Sequence, residues 1–406
     1  MAANAAEDWL IGLVDAGADP YGRGKEGAPP LHGAVRCRLQ RLTAHLLTRG
    51  ADANARDRRG RSALHHVVCG RHKRDEVLLW LLLRYGADPE QADGVGETPL
   101  GVALARGRQD LVQWLCWRDW QLPRRRLETV DLIAAASHGD VGACERLLEL
   151  GLPIDGTDRQ GCTALLRACG AGHVNVVRML LGRGADPAIA ASTGATCLSA
   201  AVTARRTAVV EVLLEHGVAI GQRLPGGATA LMVAAALGHA DIATQLLEHG
   251  ANPAERDEMG HNALMAAAQY LFRSGRRPAD LGILDVLIAA GAAVDAVNGA
   301  GQSALILLLG GRADPGTQPD QGVLAEGVQR LIGASANVDL QDQRGVCALH
   351  AAALHGLLTC ARLLRKAGAD HHVRDVVGRR PHELASMMGY IDVARELEVR
   401  GEMAKG

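Results

Sequence analysis

Aromatic residues are scarce in this chain: they make up 2% of its 406 residues, with one phenylalanine, Phe272, four tyrosines and five tryptophans. A core of large rings is thereby excluded, and the 48% apolar share has to be filled mainly by Ala and Leu, which points to closely packed helices. Net charge is nearly absent too, at -1, and neither half of the chain carries enough excess of one sign to imply nucleic acid. No apolar run approaches the roughly 18 residues of a membrane span, so no membrane is implied, and the apolar content is too high for a disordered chain. Nine cysteines are scattered singly with no CxxC pair, and no apolar h-region opens the chain. Neither a disulfide framework nor a zinc module is indicated, and a reducing, cytoplasmic compartment is the expectation.

What the chain has instead is repetition. A glycine followed four residues later by an apolar residue recurs at Gly27, Gly60, Gly96, Gly161, Gly194, Gly227, Gly260, Gly301, Gly345 and Gly378, with Glu128 taking one place in the series. Most steps are 33 residues. A second series marks the end of Leu-Leu-x-x-Gly-Ala-Asp segments, at Gly50, Gly86, Gly184, Gly250 and Gly368 among others, with Asp119 and Ser335 in two of its places. Glycine there suits the left-handed residue that closes a helix, and Thr or Ser before the next Leu suits a helix start. Val176, Val177, Leu180 and Leu181 form an apolar stripe at helical spacing, while pairs such as Ala234-Ala235 and Ala352-Ala353 allow helices to approach closely. Each unit is too small to bury its own face, so stacked neighbours must supply the core.

The stretch from Gly226 to Asn252, with Pro30-Leu-His32, Thr98-Pro-Leu100, Ala63-Leu-His65 and Ala348-Leu-His350, resembles the ankyrin repeat, a 33-residue β-turn and helix pair with a T-P-L-H-x-A signature. The resemblance covers essentially the whole chain and implies an all-α solenoid of stacked helix-turn-helix units over residues 1-406. It places a half repeat at 1-24 and repeats starting near 25, 58, 94, 126, 159, 192, 225, 258, 299, 343 and 376. Trp9 to Asp19 reads as an outer helix with no inner helix before it, which leaves an atypical cap and the C-terminal part of a longer protein as alternatives. At 117-128 both marker glycines are lost, and an altered turn is expected. Insertions near 70-76, 269-282 and 310-323 all fall between the inner and outer helix, at an edge that repeat proteins often use for binding.

Catalysis has no foothold in the pattern: no nucleophile and base can be placed together, no phosphate-binding glycine loop follows a strand, and no H-E-x-x-H occurs. No cofactor is expected. His65, His66, Cys69 and His72 are the least ordinary histidine and cysteine group, but a helical i, i+4 pair falls short of the four ligands of structural zinc, and no metal is expected either. The family resemblance implies a non-catalytic scaffold that binds a protein partner through a concave face of turn tips and inner helices. The residues at those positions are Arg36, Arg59, Arg61, Arg106 and Arg159, a basic stripe suited to an acidic partner, and Met259, His261, Gln269, Tyr270, Leu354 and His355 further on. Phe272, Arg273, Arg276 and Arg277 join them from the 269-282 insertion. Trp80, at an outward position of its helix, and Trp114, Trp117 and Trp120 on the next repeat offer an aromatic patch on the convex side, while packing within the irregular junction accounts equally well for three of them. The chain reads as a monomer, and the rival to a free-standing scaffold is a regulatory or targeting arm of a longer enzyme, toxin or membrane protein.

Overall fold

Helix starts in this protein are capped by short polar side chains at recurring positions. Thr98 Oγ1 accepts the Gly101 N–H at 3.0 Å, Thr196 Oγ1 that of Ser199 at 3.1 Å, and Thr229 and Ser303 cap the next helices in the same way. Each such cap satisfies a backbone donor that the helix cannot, an effect of about 1 kcal/mol. The computed structural model describes residues 2–19, 22–24, 27–70, 75–116, 123–274, 281–314 and 319–398. Among these are 23 helices, and β-pairing is confined to the isolated bridges Thr157 to Thr163 and Val297 to Ser303. No helix among the described residues is long and apolar enough to cross a membrane.

The chain forms two compact units, Met1–Ala168 with Gly182–Ala185, and Cys169–Leu181 with Asp186–Gly406. The first holds α1 (Ala2–Asp15), α2 (Pro30–Arg36), α3 (Gln40–Thr48), α4 (Ala63–Val68), α5 (Asp75–Arg84), α6 (Pro99–Ala105), α7 (Gln109–Leu115), α8 (Thr129–His138) and α9 (Val141–Glu149). The chain passes from one unit to the other within α10 (Ala164–Ala171). The second then takes α11 (Val174–Gly182) as far as Leu181, followed by α12 (Cys197–Thr203), α13 (Thr207–Glu215), α14 (Ala230–Ala236), α15 (Ala240–Glu248), α16 (Ala263–Ser274) and α17 (Gly282–Ala289). It continues with α18 (Ala304–Leu308), α19 (Gln321–Gly333), α20 (Ala348–Leu354), α21 (Leu358–Lys366), α22 (Pro381–Met387) and α23 (Ile391–Leu397).

Within each unit a helix packs on its hairpin partner and on the like helix of the next hairpin: α2 on α3 and α4, α4 on α5 and α6, and, in the second unit, α14 on α15 and α16. The seams are filled by small and branched side chains. Leu64, Leu79, Leu213 and Leu349 are fully buried, as are Ala234, Ala235, Ala352 and Ala353, where the missing bulk lets the helices close up. Burying one such leucine stabilises the fold by about 2 kcal/mol. At the turn tips, successive repeats are tied by backbone: Gly94 N–H donates to Arg59 O, Gly299 to Met259 O and Val376 to Arg344 O, each at 2.9 Å. Gly60, at φ +75, must be bare, because a Cβ there would stand 2.6 Å from the Gly94 nitrogen.

The irregular places have physical causes. At 123–128, Arg125 makes a two-pronged ion pair with Asp131 at 2.8 and 2.9 Å, and the Asp131 carboxylate also accepts the Glu128 N–H at 2.7 Å. That capping box starts α8 at Thr129, and it stands in for the glycine turn. Ser335, in a glycine place of the repeat, takes the left-handed conformation at φ +64. In the 269–282 insertion, α16 runs on to Ser274 because Leu271 and Phe272 extend its buried face. The 310–323 insertion ends inside α19, whose N-cap Asp320 accepts the N–H groups of Gly322 and Val323. Trp80 and Trp114 pack on each other with ring centroids 5.1 Å apart, and Trp114 is buried, so those two serve packing of α5 on α7. Trp117 and Trp120 lie outside the described residues.

Candidate functional site

In the first unit a turn and two helices surround a cavity of about 490 Å³ lined by Ala28, Arg36, Asp57, Arg58, Arg59, Arg61 and His66. Arg36 closes α2, His66 lies on α4, and the rest of the basic wall comes from the Asp57–Arg61 turn. Asp57 builds that turn: its Oδ1 accepts the N–H groups of Arg59 and Arg61 at 2.8 and 2.9 Å, and its Oδ2 faces His66 Nε2 at 3.2 Å. Burial works against the Asp57 charge, but these N–H donors outweigh it and hold the carboxyl below its usual range. Burial and the neighbouring His32 push His66 down to about 4. At neutral pH the wall therefore consists of neutral imidazole, one carboxylate and four guanidiniums. Arg58 and Arg59 are exposed, and the Arg61 Nε lies 3.7 Å from Asp93.

The remaining members of the expected basic stripe are elsewhere. Arg106 lays its guanidinium on the Cys69 carbonyl at 3.0 Å, and Arg159 is exposed on its own turn; neither lines the cavity. Of the histidine and cysteine group, His65 is fully occupied, with Nδ1 at Ser62 and Nε2 on the Glu97 carbonyl at 3.0 Å. His72 lies outside the described residues. Two groupings were not anticipated. Asp75 binds Arg38 and Arg108 at 3.0 Å each, and His32, Asp57 and His66 converge. Neither carries a local sequence signature, because each joins residues from successive repeats.

In the second unit two adjoining hollows of about 400 and 200 Å³ share Gln269 and Arg273. The larger is lined by Met232, Val233, Ala236, Asp257, His261 and Tyr270, the smaller by Phe272, Leu307, Gly310, Arg312 and Ala313. Tyr270 rests where Gly238 has no side chain, since a Cβ there would meet its ring at 2.3 Å. His261 is buried and structural: Nδ1 faces Asp257 at 3.2 Å, and Nε2 meets the Asn298 amide at 3.1 Å and the Arg312 guanidinium at 3.0 Å. Phe272 and His355 are buried against each other, whereas Met259, at 56% exposure, and Arg273 are open, and Gln269, Tyr270 and Leu354 are half-buried. Arg276 and Arg277 lie outside the described residues.

The family model for ankyrin repeats matches residues 31–121, 132–223, 217–298 and 320–401. The chain is an ankyrin repeat protein. Its relatives include human ankyrin repeat domain-containing protein 63, 33% identical over 176 residues, which is 42% of this chain and 37% of that protein. Mouse protein phosphatase 1 regulatory subunit 27 is 45% identical over 73 residues, 18% of this chain and 47% of that protein. Human transient receptor potential cation channel subfamily A member 1 is 31% identical over 182 residues, 43% of this chain and 16% of that protein. The match to the first of these thus spans about a third of its length. In ankyrin terms, His65 and His350 hold the signature position in the same way, each with Nε2 on a carbonyl of the following repeat, Glu97 and Arg379 respectively, at 3.0 Å.

Proposed function

We propose that this ankyrin repeat protein is a non-catalytic binding scaffold whose first unit takes an acidic segment of a partner protein on Arg36, Arg58, Arg59 and Arg61. Ankyrin repeats are protein-interaction modules, and the observation that carries the finer reading is the convergence of four guanidiniums on one cavity containing a single carboxylate. Arginine forks bind carboxylates two-pronged, with more geometric specificity than lysine provides. Here the forks stand on the turn tips and on the end of an inner helix, the positions expected to form a concave face. Met259, Gln269, Tyr270 and Arg273 supply a more apolar contact in the second unit, where an aromatic and an arginine side by side suit a binding hot spot. The protein acts as a monomer in the cytoplasm, a setting that fits nine free thiols.

Capture of partners from native lysate, with mass spectrometry of what is retained, tests the proposal when the parent is run beside Arg59→Glu/Arg61→Glu. An acidic protein held by the parent and released by the variant supports it; an unchanged set of partners refutes it. A second reading, a regulatory arm of a longer protein, is supported by the relatives named above as a phosphatase regulatory subunit and a cation channel, each matched over only part of its length. The mass of the native polypeptide, compared with that of the 406-residue chain, distinguishes the two.

A further inference from the structure

Two residues that line the cavity in the first unit, Asp57 and His66, meet the fully buried His32 behind it. One nitrogen of His32, one of His66 and one carboxylate oxygen of Asp57 all lie within 4.8 Å of one another. Donor atoms on a tetrahedral ion with metal–nitrogen bonds of about 2.1 Å stand about 3.4 Å apart. The His66 to Asp57 separation, 3.2 Å, is already close to that, and the His32 and His66 ring centroids are only 5.1 Å apart. Ligation requires a turn of the His32 ring that brings the third donor into range.

His32 is the one signature histidine with freedom to make that turn. In His65 and His350, Nδ1 is held by the backbone and side chain of the helix cap, Ser62 and Cys347. The cap before His32 is Pro29, which has neither an N–H nor a polar side chain to offer, and His32 Nδ1 is buried with no hydrogen-bond partner. Its Nε2 contacts the Ala55 carbonyl at 2.9 Å. Burial favours the neutral form of both imidazoles, which is the form that binds metal.

We propose that His32, Asp57 and His66 form a binding site for one divalent transition-metal ion of the zinc class, with a fourth coordination position open to the cavity. Two imidazoles and a carboxylate suit zinc, cobalt or nickel, and do not suit calcium or magnesium, which take oxygen donors. The guanidiniums of Arg36, Arg58, Arg59 and Arg61 oppose the cation, so the site binds less tightly than a closed structural zinc centre. They also favour an anion in the fourth position.

Titration of the tag-free full chain with zinc chloride alone, followed by calorimetry, tests the site. One saturable equivalent is expected, and cobalt in its place should give the visible bands of a low-coordinate nitrogen and oxygen site without a thiolate charge-transfer band. His66→Ala should weaken zinc binding about tenfold or more. Asp57→Asn, which keeps the Oδ1 acceptor of the turn, should do the same, and His249→Ala, at an exposed helix end, should bind like the parent. Circular-dichroism melts without metal show which variants are folded, and Asp57→Asn carries the test if His66→Ala is not. No saturable binding by the parent, a thiolate band, or parental affinity in a folded His66→Ala or Asp57→Asn variant overturns the proposal.

Discussion

Phe272 and His355 meet edge to face with ring centroids 5.1 Å apart, and both lie over Gly310, whose carbonyl accepts a hydrogen bond from His355 Nε2 at 3.0 Å. The only phenylalanine of the chain therefore pins the start of the 310–323 insertion to α16 and to the end of α20. Gly310, at φ +85, makes this possible: a Cβ there would stand 2.5 Å from the Phe272 ring and 2.7 Å from His355 Nε2.

Phe272→Ala should destabilise the protein by about 3 to 5 kcal/mol, since a buried ring is lost and the space cannot refill. Arg273→Ala, one residue on and exposed, should cost less than about 0.5 kcal/mol. Urea melts followed by circular dichroism measure both, and equal losses for the two would show that the ring is not what holds the insertion.

Reversal of Arg59 and Arg61 to Glu should slow association with an acidic partner and flatten its dependence on salt, while leaving the melting temperature nearly unchanged for Arg59, whose side chain is exposed. Stopped-flow association rates at several salt concentrations provide the check. An effect confined to dissociation would mean that these guanidiniums make close contact and contribute little to long-range attraction.

Ser335→Gly should stabilise the protein by about 0.5 to 1 kcal/mol. The left-handed conformation at φ +64 costs a side-chain-bearing residue about 1 to 2 kcal/mol that glycine does not incur, less about 0.5 to 1 kcal/mol for the extra unfolded-state entropy of glycine. A thermal or urea midpoint that falls would show that the serine side chain contributes more than its backbone strain removes.

His350 is buried between Cys347 and the Arg379 carbonyl, and burial pushes its pKa below the ordinary value of 6.5 despite opposing contributions from the Arg379 hydrogen bond and from Asp375 and Asp342. The unfolded chain therefore binds this proton more readily than the folded one. Its contribution to stability is complete above about pH 6.5 and is lost as the pH falls below that value. His350→Gln should lower stability at pH 7.5 and reduce its fall between pH 6.5 and pH 5, read from urea midpoints across that window; an unchanged slope would place the proton uptake elsewhere.

The repeat period, the helix pairs and the caps were legible because they are local. A glycine that must take a positive φ, a threonine positioned to receive an N–H of the first helical turn, and apolar residues spaced for one helix face all lie within one repeat of each other, and Thr98, Thr196, Thr229 and Ser303 act as their positions imply. The candidate contact residues were legible only as positions. Met259 and Arg273 are open to solvent, whereas His261, Phe272 and His355 are buried and hold the chain together.

That division follows from how burial arises in a stacked array. Periodicity within the chain is enough to make each unit a helix pair and to require neighbours, since one repeat cannot cover its own apolar face. Which side chain disappears into a seam depends on the bulk of the facing repeat: Gly238 makes room for Tyr270, Gly310 for Phe272, and Pro29 leaves His32 without a cap partner while the next repeat brings Asp57 and His66 beside it. Those encounters are set by three-dimensional stacking of residues from different repeats, and no spacing along the chain records them.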